Sequence, residues 1–244
     1  MNMEKKAYTI RIFVNVNLKI EHDFLINNYQ VHYIKNVMRA SVGDSLIIFN
    51  GKDGEYEGQI IEFKKQQVKI KILSKIREQT IEPKLVLVFC LIKKERLHFI
   101  IEKCTELGVS EFQPIISERT QINKINIEKI KICSQEASEQ TERLSVPIIN
   151  PLMELKDFLN DWPKSKTIIF CDEMGGMPII KAMKNINRPI YIMIGPEGGF
   201  SSQERKLLLK YKSVKKVSLG PRILRSDTAA ISAVTCYQSI SGDW

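Results

Sequence analysis

Apolar and polar residues alternate along the first third of the chain and give way to block patterning after residue 80. "YTIRIFVNV" alternates, "DSLIIFNGKDGEYEGQIIEF" reads as strand, glycine-rich turn and strand, and "QVKIKILSKI" alternates again, the period-2 signature of half-buried strands. Asn50-Gly51 and Asp53-Gly54 mark turns. "VHYIKNVMRA" predicts one short helix among these strands, so residues 1–80 are expected to form a small all-β barrel or sandwich.

From Lys84 onward the pattern changes. "LVLVFCLI" is apolar on both faces, and "KERLHFIIEKCTEL" reads as a helix that Gly108 closes as its C-terminal cap. "VSEFQPIIS", "VPIIN", "TIIFCDE", "IYIMIGP" and "KKVSLGP" are further strands, with helical stretches between them. Doubly apolar runs separated by helices predict a mostly parallel sheet covered on both sides. The boundary falls near residues 76–83, giving an expected all-β domain over 1–78 and an α/β domain over 79–244.

Composition adds little to this. At 43% hydrophobic and 27% charged the chain reads as an ordinary soluble protein, without an apolar run long enough to span a bilayer. Its first residues lack the basic, apolar and small-residue order of a signal peptide, so a cytoplasmic location is expected. The five cysteines are odd in number and form no C-x-x-C pair, and His22, His32 and His98 show no ligand spacing; no metal site is expected. Cys90 and Cys133 sit among apolar residues and read as buried thiols. A formal charge of +9 points to an anionic partner such as RNA. That charge is spread evenly, however, with 13 basic against 9 acidic residues in 1–80 and 24 against 19 beyond. Composition alone therefore leaves RNA binding open.

The chemistry concentrates in two loops. "IGPEGGFSSQE" (Ile194 to Glu204) lies at the carboxyl end of a predicted strand, where open α/β sheets bind ligands, and Ser201 with Glu204 forms a capping box at the next helix. Neither G-x-x-x-x-G-K-[ST] nor G-x-G-x-x-G is present, and Glu197 stands where a phosphate would need positive potential. The loop suits a neutral or cationic ligand better. One strand later comes "SLGPRILRSDTAA" (Ser218 to Ala230), in which Gly220-Pro221 breaks the strand, two arginines follow, and Ser226 or Asp227 is placed to cap a helix rich in small residues. The small Ala229, Ala230, Ser232 and Ala233 would let that helix pack closely. Two Gly-Pro loops on successive strands would together frame one pocket.

With these residues in view, the sequence closely resembles the bacterial 16S ribosomal RNA (uracil-N3) methyltransferases of the SPOUT class. "RIFV", "HYIKNVMRASVGD", "FNGKDGEY", "EKCTELGVSEFQPIISERT" and "SEQTERLSVP" extend the resemblance over essentially the whole chain, in the family's order. Two departures are Asp227, usually Glu in the family, and Glu142, at a position that is often Gly. The resemblance implies a PUA-like N-terminal β-barrel that binds RNA and a trefoil-knotted α/β methyltransferase domain. It also implies a homodimer that binds S-adenosylmethionine in the knot and methylates N3 of one uridine in the RNA of the small ribosomal subunit. On that reading the cofactor would meet Cys171, Gly195, Pro196, Glu197, Gly198, Gly199, Leu219, Gly220, Ile223, Leu224, Arg225 and Thr228. Arg225 or Arg143 would stabilise a uracil anion, with Glu197 or Asp227 as the orienting or proton-accepting carboxylate. Arg11, His32, Lys35, Arg39, Lys94, Arg119 and Arg143 would face RNA. Two other readings remain open: a non-enzymatic RNA-binding or ribosome-assembly protein, and a SPOUT enzyme that acts on transfer RNA or on another ribosomal base.

Overall fold

A computed structural model describes residues 10–27, 29–160, 162–163, 165–184, 186 and 189–244; Tyr8 and Thr9 of the first expected strand lie outside them. The chain divides into two units, one reaching to Ile81 and taking in Ser138–Val146, the other comprising Glu82–Ala137 and Pro147–Trp244.

In the first unit, β1 (Arg11–Phe13), β2 (Asp23–Ile26), β3 (Ser45–Phe49), β4 (Glu55–Phe63) and β5 (Val68–Arg77) form a five-stranded sheet in the order β1-β3-β4-β5-β2. β3 and β4 pair antiparallel across the Asn50–Gly54 turn, as the sequence pattern predicts. The short helix α1 (Gln30–His32) runs directly into a π-helical turn (Tyr33–Val37). Alternate residues Ile12, Leu46, Ile48, Ile60, Val68 and Ile70 are all fully buried, which is the packed face that the period-2 pattern requires. Segment 138–146 joins this unit through long-range polar contacts. Arg11 donates to the carbonyls of Ser138 (2.9 Å) and Arg143 (2.6 Å), and Glu139 Oε1 accepts from the Phe13 N–H.

The second unit is built on an all-parallel sheet. Its main strands are β6 (Leu85–Cys90), β7 (Glu111–Ile116), β10 (Thr167–Cys171), β12 (Ile190–Ile194) and β13 (Val214–Ser218), extended by the two-residue strands β8 (Ile148–Ile149), β9 (Met153–Glu154) and β11 (Met177–Pro178). The order is β11-β13-β10-β12-β6-β7-β8, with β9 also on β7. The helices are α2 (Lys94–Glu106), α3 (Ile127–Gln140), α4 (Leu155–Asn160), α5 (Ile179–Met183), α6 (Ser202–Leu208) and α7 (Ser226–Ser241). Every residue of β6 and β12 is buried, and the side chains divide by register. Leu85, Leu87, Phe89, Ile190 and Ile192 pack with α2, α5 and α7, whereas Val86, Val88, Tyr191 and Met193 pack with α4 and α6. This is the doubly covered parallel sheet that continuous apolar runs predict.

Gly108 stands just past α2 at φ +85, the left-handed position that a C-terminal glycine fills without strain. Ala230 and Ala233 are fully buried inside the unit, where α7 packs on α2 and β12 and the Gln238 amide donates to the Leu107 carbonyl at 2.6 Å. Cys90 is buried as expected, while Cys133 is partly exposed.

Candidate active site

The carboxyl ends of β10, β12 and β13 lie side by side, with Cys171 in register with both Ile194 and Val217. Each strand is followed by a loop, and the three loops surround a cleft with about 620 Å3 of open space.

The loop after β12 is a tight turn. Gly199 has φ +64, and its N–H donates to the Pro196 carbonyl at 2.9 Å. The predicted capping box is present, with the Glu204 N–H donating to Ser201 Oγ (3.2 Å) and the Ser201 N–H to Glu204 Oε2 (2.8 Å). The other Glu204 oxygen accepts from the Glu118 N–H at 2.8 Å, which anchors the loop after β7 to the same helix start. From that loop Arg119 donates to the Gly198 carbonyl at 3.0 Å.

The loop after β13 differs from expectation at its end. The N-cap of α7 is Arg225, and no side chain caps the helix. Ser226 is instead the first helical residue, and its hydroxyl donates to the Gly195 carbonyl at 2.9 Å, joining the two Gly-Pro loops. Asp227 Oδ1 accepts from the neighbouring Thr228 N–H at 2.8 Å.

The third loop, after β10, is held by charge. The Asp172 carboxylate is fully buried and accepts from Arg205 Nε (3.1 Å) and Lys216 Nζ (3.2 Å), while Glu173 pairs with the other end of the same Arg205. Burial pushes the Asp172 carboxyl up, but the Met174 N–H, Arg205 and Lys216 outweigh it and hold the group below its usual range. At Cys171, burial drives the thiol upward, so at neutral pH this cleft residue is a thiol rather than a thiolate nucleophile.

Of the residues expected at the cofactor, Cys171, Gly195, Pro196, Leu219, Gly220, Ile223 and Leu224 line the cleft. Glu197, Gly198 and Gly199 form the turn beyond Pro196, and Arg225 and Thr228 alternate with the lining residues Leu224, Ser226 and Ala229. Asp172, Glu173 and Arg222, within the "CDEMGG" and "LGPRIL" stretches whose backbone the resemblance places at the cofactor, also line the cleft, as does Ser226.

Among the residues expected to face RNA, His32, Lys35, Arg39, Lys94 and Arg119 are exposed. Arg11 is corrected. Its side chain is 9% exposed, salt-bridged to Glu55 at 2.9 Å, committed to three backbone carbonyls and stacked 3.9 Å over Phe49, so it holds the first unit together. Arg143 belongs to the same unit and is 8% exposed.

The RNA methyltransferase domain family matches residues 79–238, and the RNA methyltransferase PUA domain family matches residues 26–73. Curated relatives include the ribosomal RNA small subunit methyltransferase E of Rickettsia conorii, 36% identical over 92% of this chain and 93% of that protein. The protein of that name from Buchnera aphidicola (Schizaphis graminum) is 32% identical over 96% of this chain and 97% of its own. Among solved structures, the Neisseria gonorrhoeae ribosomal RNA small subunit methyltransferase E bound to S-adenosyl methionine superposes with a TM-score of 0.84 at 27% identity, covering 96% of this chain and 99% of that one. A methyltransferase structure from Legionella pneumophila with bound SAM gives 0.87 at 28% identity, covering 97% and 99%.

Proposed function

This chain belongs to the family of ribosomal RNA small subunit methyltransferase E proteins, and from that premise we propose that it methylates N3 of one uridine in 16S ribosomal RNA, with S-adenosylmethionine as methyl donor. The observation that carries the reading is the pair of Gly-Pro loops joined by the Ser226–Gly195 hydrogen bond around a cleft that has no phosphate-binding pattern.

The lining fits that donor. Cys171, Ile194, Leu219, Ile223 and Leu224 offer an apolar wall between the two Gly-Pro loops. The first turn of α7 opens on the cleft through Ser226 and Ala229, a favourable place for the donor's carboxylate. When bound, S-adenosylmethionine supplies an electrophilic methyl group on a sulfonium.

The chain itself must handle the N3 proton. Uracil N3 carries a hydrogen, so the nitrogen becomes a nucleophile only as that proton leaves, and negative charge spreads onto O2 and O4. Arg225, exposed beside the lining residues Leu224 and Ser226, is suited to hold that charge. Glu197, exposed on the facing turn, is the proton-accepting or orienting carboxylate in this scheme, with Asp227 as the other candidate. Arg143, buried within the first unit, is the weaker candidate for the anion site. His32, Lys35 and Arg39 supply phosphate contacts that position the RNA. The reading includes a knotted thread through the cofactor loops and a cytoplasmic homodimer, whose mass sedimentation equilibrium measures.

The test is mass spectrometry of small-subunit ribosomal RNA from cells lacking the protein. 3-Methyluridine disappears and returns on complementation; its persistence sinks the assignment. In vitro, Arg225→Ala loses methyl transfer by 100-fold or more, on the order expected for one oxyanion donor, while calorimetric S-adenosylmethionine binding persists.

A further inference from the structure

A second cleft opens at the carboxyl end of β6, directly beside the β12 end that carries the cofactor loop. β6 and β12 are neighbours in the sheet, with Phe89 opposite Ile194. The cleft is open to solvent, holds a cavity of about 160 Å3, starts at Leu91 and Ile92 just past β6, and is walled by the first turns of α2 and α3. α2 in turn packs on α7, whose first turn borders the cofactor cleft.

Its chemistry is two-part. The floor is aliphatic, with Leu97 and Ile130 buried in the core and Ile122 and Ile125 only partly covered by it. The rim is cationic, with Lys94, Lys124 and Lys129 all exposed, and none of the lining side chains is a carboxylate. Both walls are the first turns of helices, whose dipoles add positive potential to that of the lysines; Asn126 Oδ1 accepts from the Lys129 N–H at 3.0 Å, and Glu95 and Glu128 in the same turns stand outside the lining. Another cleft, lined from α4, α6 and the end of β7, is mostly acidic, with Glu118, Glu154, Asp157 and Glu204 against a single Lys156. An anionic chain at this edge of the sheet is drawn to the first cleft and repelled from the second.

An apolar floor inside a ring of lysines matches an unstacked nucleobase flanked by its own phosphates. The base covers Ile122 and Ile125, and the backbone on either side meets the cations. We propose that this cleft binds one unpaired nucleotide of the RNA substrate, close to the methylated uridine, and so holds the target strand open beside the cofactor site. The inference rests on the proposed RNA methyltransfer and adds to it a base-binding subsite, with Ile122 and Ile125 as positioning residues.

The experiment uses the full chain and a short single-stranded oligouridylate, with affinity measured by fluorescence anisotropy across a salt series. Ile122→Asn/Ile125→Asn weakens binding by about tenfold, the order of one lost base contact, and leaves the salt slope unchanged. Lys94→Ala/Lys124→Ala/Lys129→Ala flattens the plot of log Kd against log salt by about 2, three phosphate contacts at roughly 0.7 each. S-adenosylmethionine affinity, measured in parallel, stays at the wild-type value in both, which also reports that the variants fold. Unchanged oligouridylate binding in both variants overturns the inference. So does a change in sedimentation velocity of the isoleucine variant, which would assign the cleft to a second copy of the chain. Wild-type protein that transfers no methyl group to small-subunit RNA sinks the functional reading itself. Wild-type transfer combined with normal RNA binding by the variants sinks only the subsite.

Discussion

The Ser226 hydroxyl reaches across to the Gly195 carbonyl at 2.9 Å, so the first turn of α7 and the turn after β12 are tied into one wall of the cleft proposed to hold the cofactor. Ser226 is 7% exposed, and water cannot easily replace it. Ser226→Ala removes one neutral hydrogen bond, worth about 1 kcal/mol, and leaves the Gly195 carbonyl without that donor. Tm should fall by about 2–4 °C, and S-adenosylmethionine affinity, measured by calorimetry, should fall by up to about fivefold as the two loops lose their tie. A wild-type Kd would show that the two loops hold their positions independently.

Gly199 is constrained twice. Its φ of +64 disfavours any side chain, and a Cβ there would collide with the Glu173 carboxylate that pairs with Arg205. Gly199→Ala should therefore cost roughly 1–3 kcal/mol and disturb the Asp172–Arg205–Glu173 clamp under the cleft. In the double variant Gly199→Ala/Glu173→Ala the collision disappears and the backbone strain remains. Urea unfolding should show part of the loss recovered. Complete recovery would mean that backbone conformation contributes nothing here, and no recovery would mean that the collision is irrelevant.

What was legible in the sequence was local. The β3–β4 turn, the Gly108 cap and the Ser201–Glu204 box each lie within a few residues and follow from turn and cap chemistry. The parallel sheet followed from runs buried on both faces. Long-range polar pairing was not legible. Ser226 read as a helix cap because its hydroxyl could serve its own helix, yet it serves Gly195, 31 residues away. Arg11 read as an RNA contact on the family resemblance, yet its partners are Glu55 and the 138–146 segment, more than a hundred residues distant in the latter case. The same distance hid the membership of 138–146 in the first unit. The paired Gly-Pro loops announced a site, and the ion pairs that hold the third loop did not.

Glu142 has φ +57, a left-handed conformation that costs a side-chain-bearing residue roughly 1–2 kcal/mol. It is held there because its carbonyl accepts from Arg77 Nη2 at 2.8 Å. Glycine takes this conformation without the steric penalty but loses about 0.5–1 kcal/mol of chain entropy on folding. Glu142→Gly should therefore be neutral to stabilising by about 1 kcal/mol, read as a raised urea midpoint at an unchanged m-value. A clear loss of stability would show that the Glu142 carboxylate, through its attraction to Arg11 and Arg77, outweighs the strain.

Glu55 is the point where acid should undo the first unit. Its side chain is 5% exposed and accepts from Arg11 Nε at 2.9 Å and from Arg77 Nε at 2.6 Å. Burial pushes its carboxyl up, but the hydrogen bonds from Arg77 and then Arg11 outweigh that and hold it below the ordinary 4.5. A carboxyl depressed in the folded state stabilises the fold above its unfolded value, and that stability is lost as pH falls through the folded value. Glu55→Gln keeps the shape but strips the buried Arg11 of its counter-charge, which at neutral pH costs about 3–5 kcal/mol. Hydrogen exchange on β3, β4 and β5 isolates the response of this unit from that of the other. Wild-type protection should exceed that of Glu55→Gln at neutral pH, and the two should converge as pH drops below about 4.5, because the wild-type carboxylate then takes up the proton that removes its charge. A gap that stayed constant through that window would place the acid sensitivity elsewhere and leave the Arg11–Glu55–Arg77 bridge as packing rather than charge.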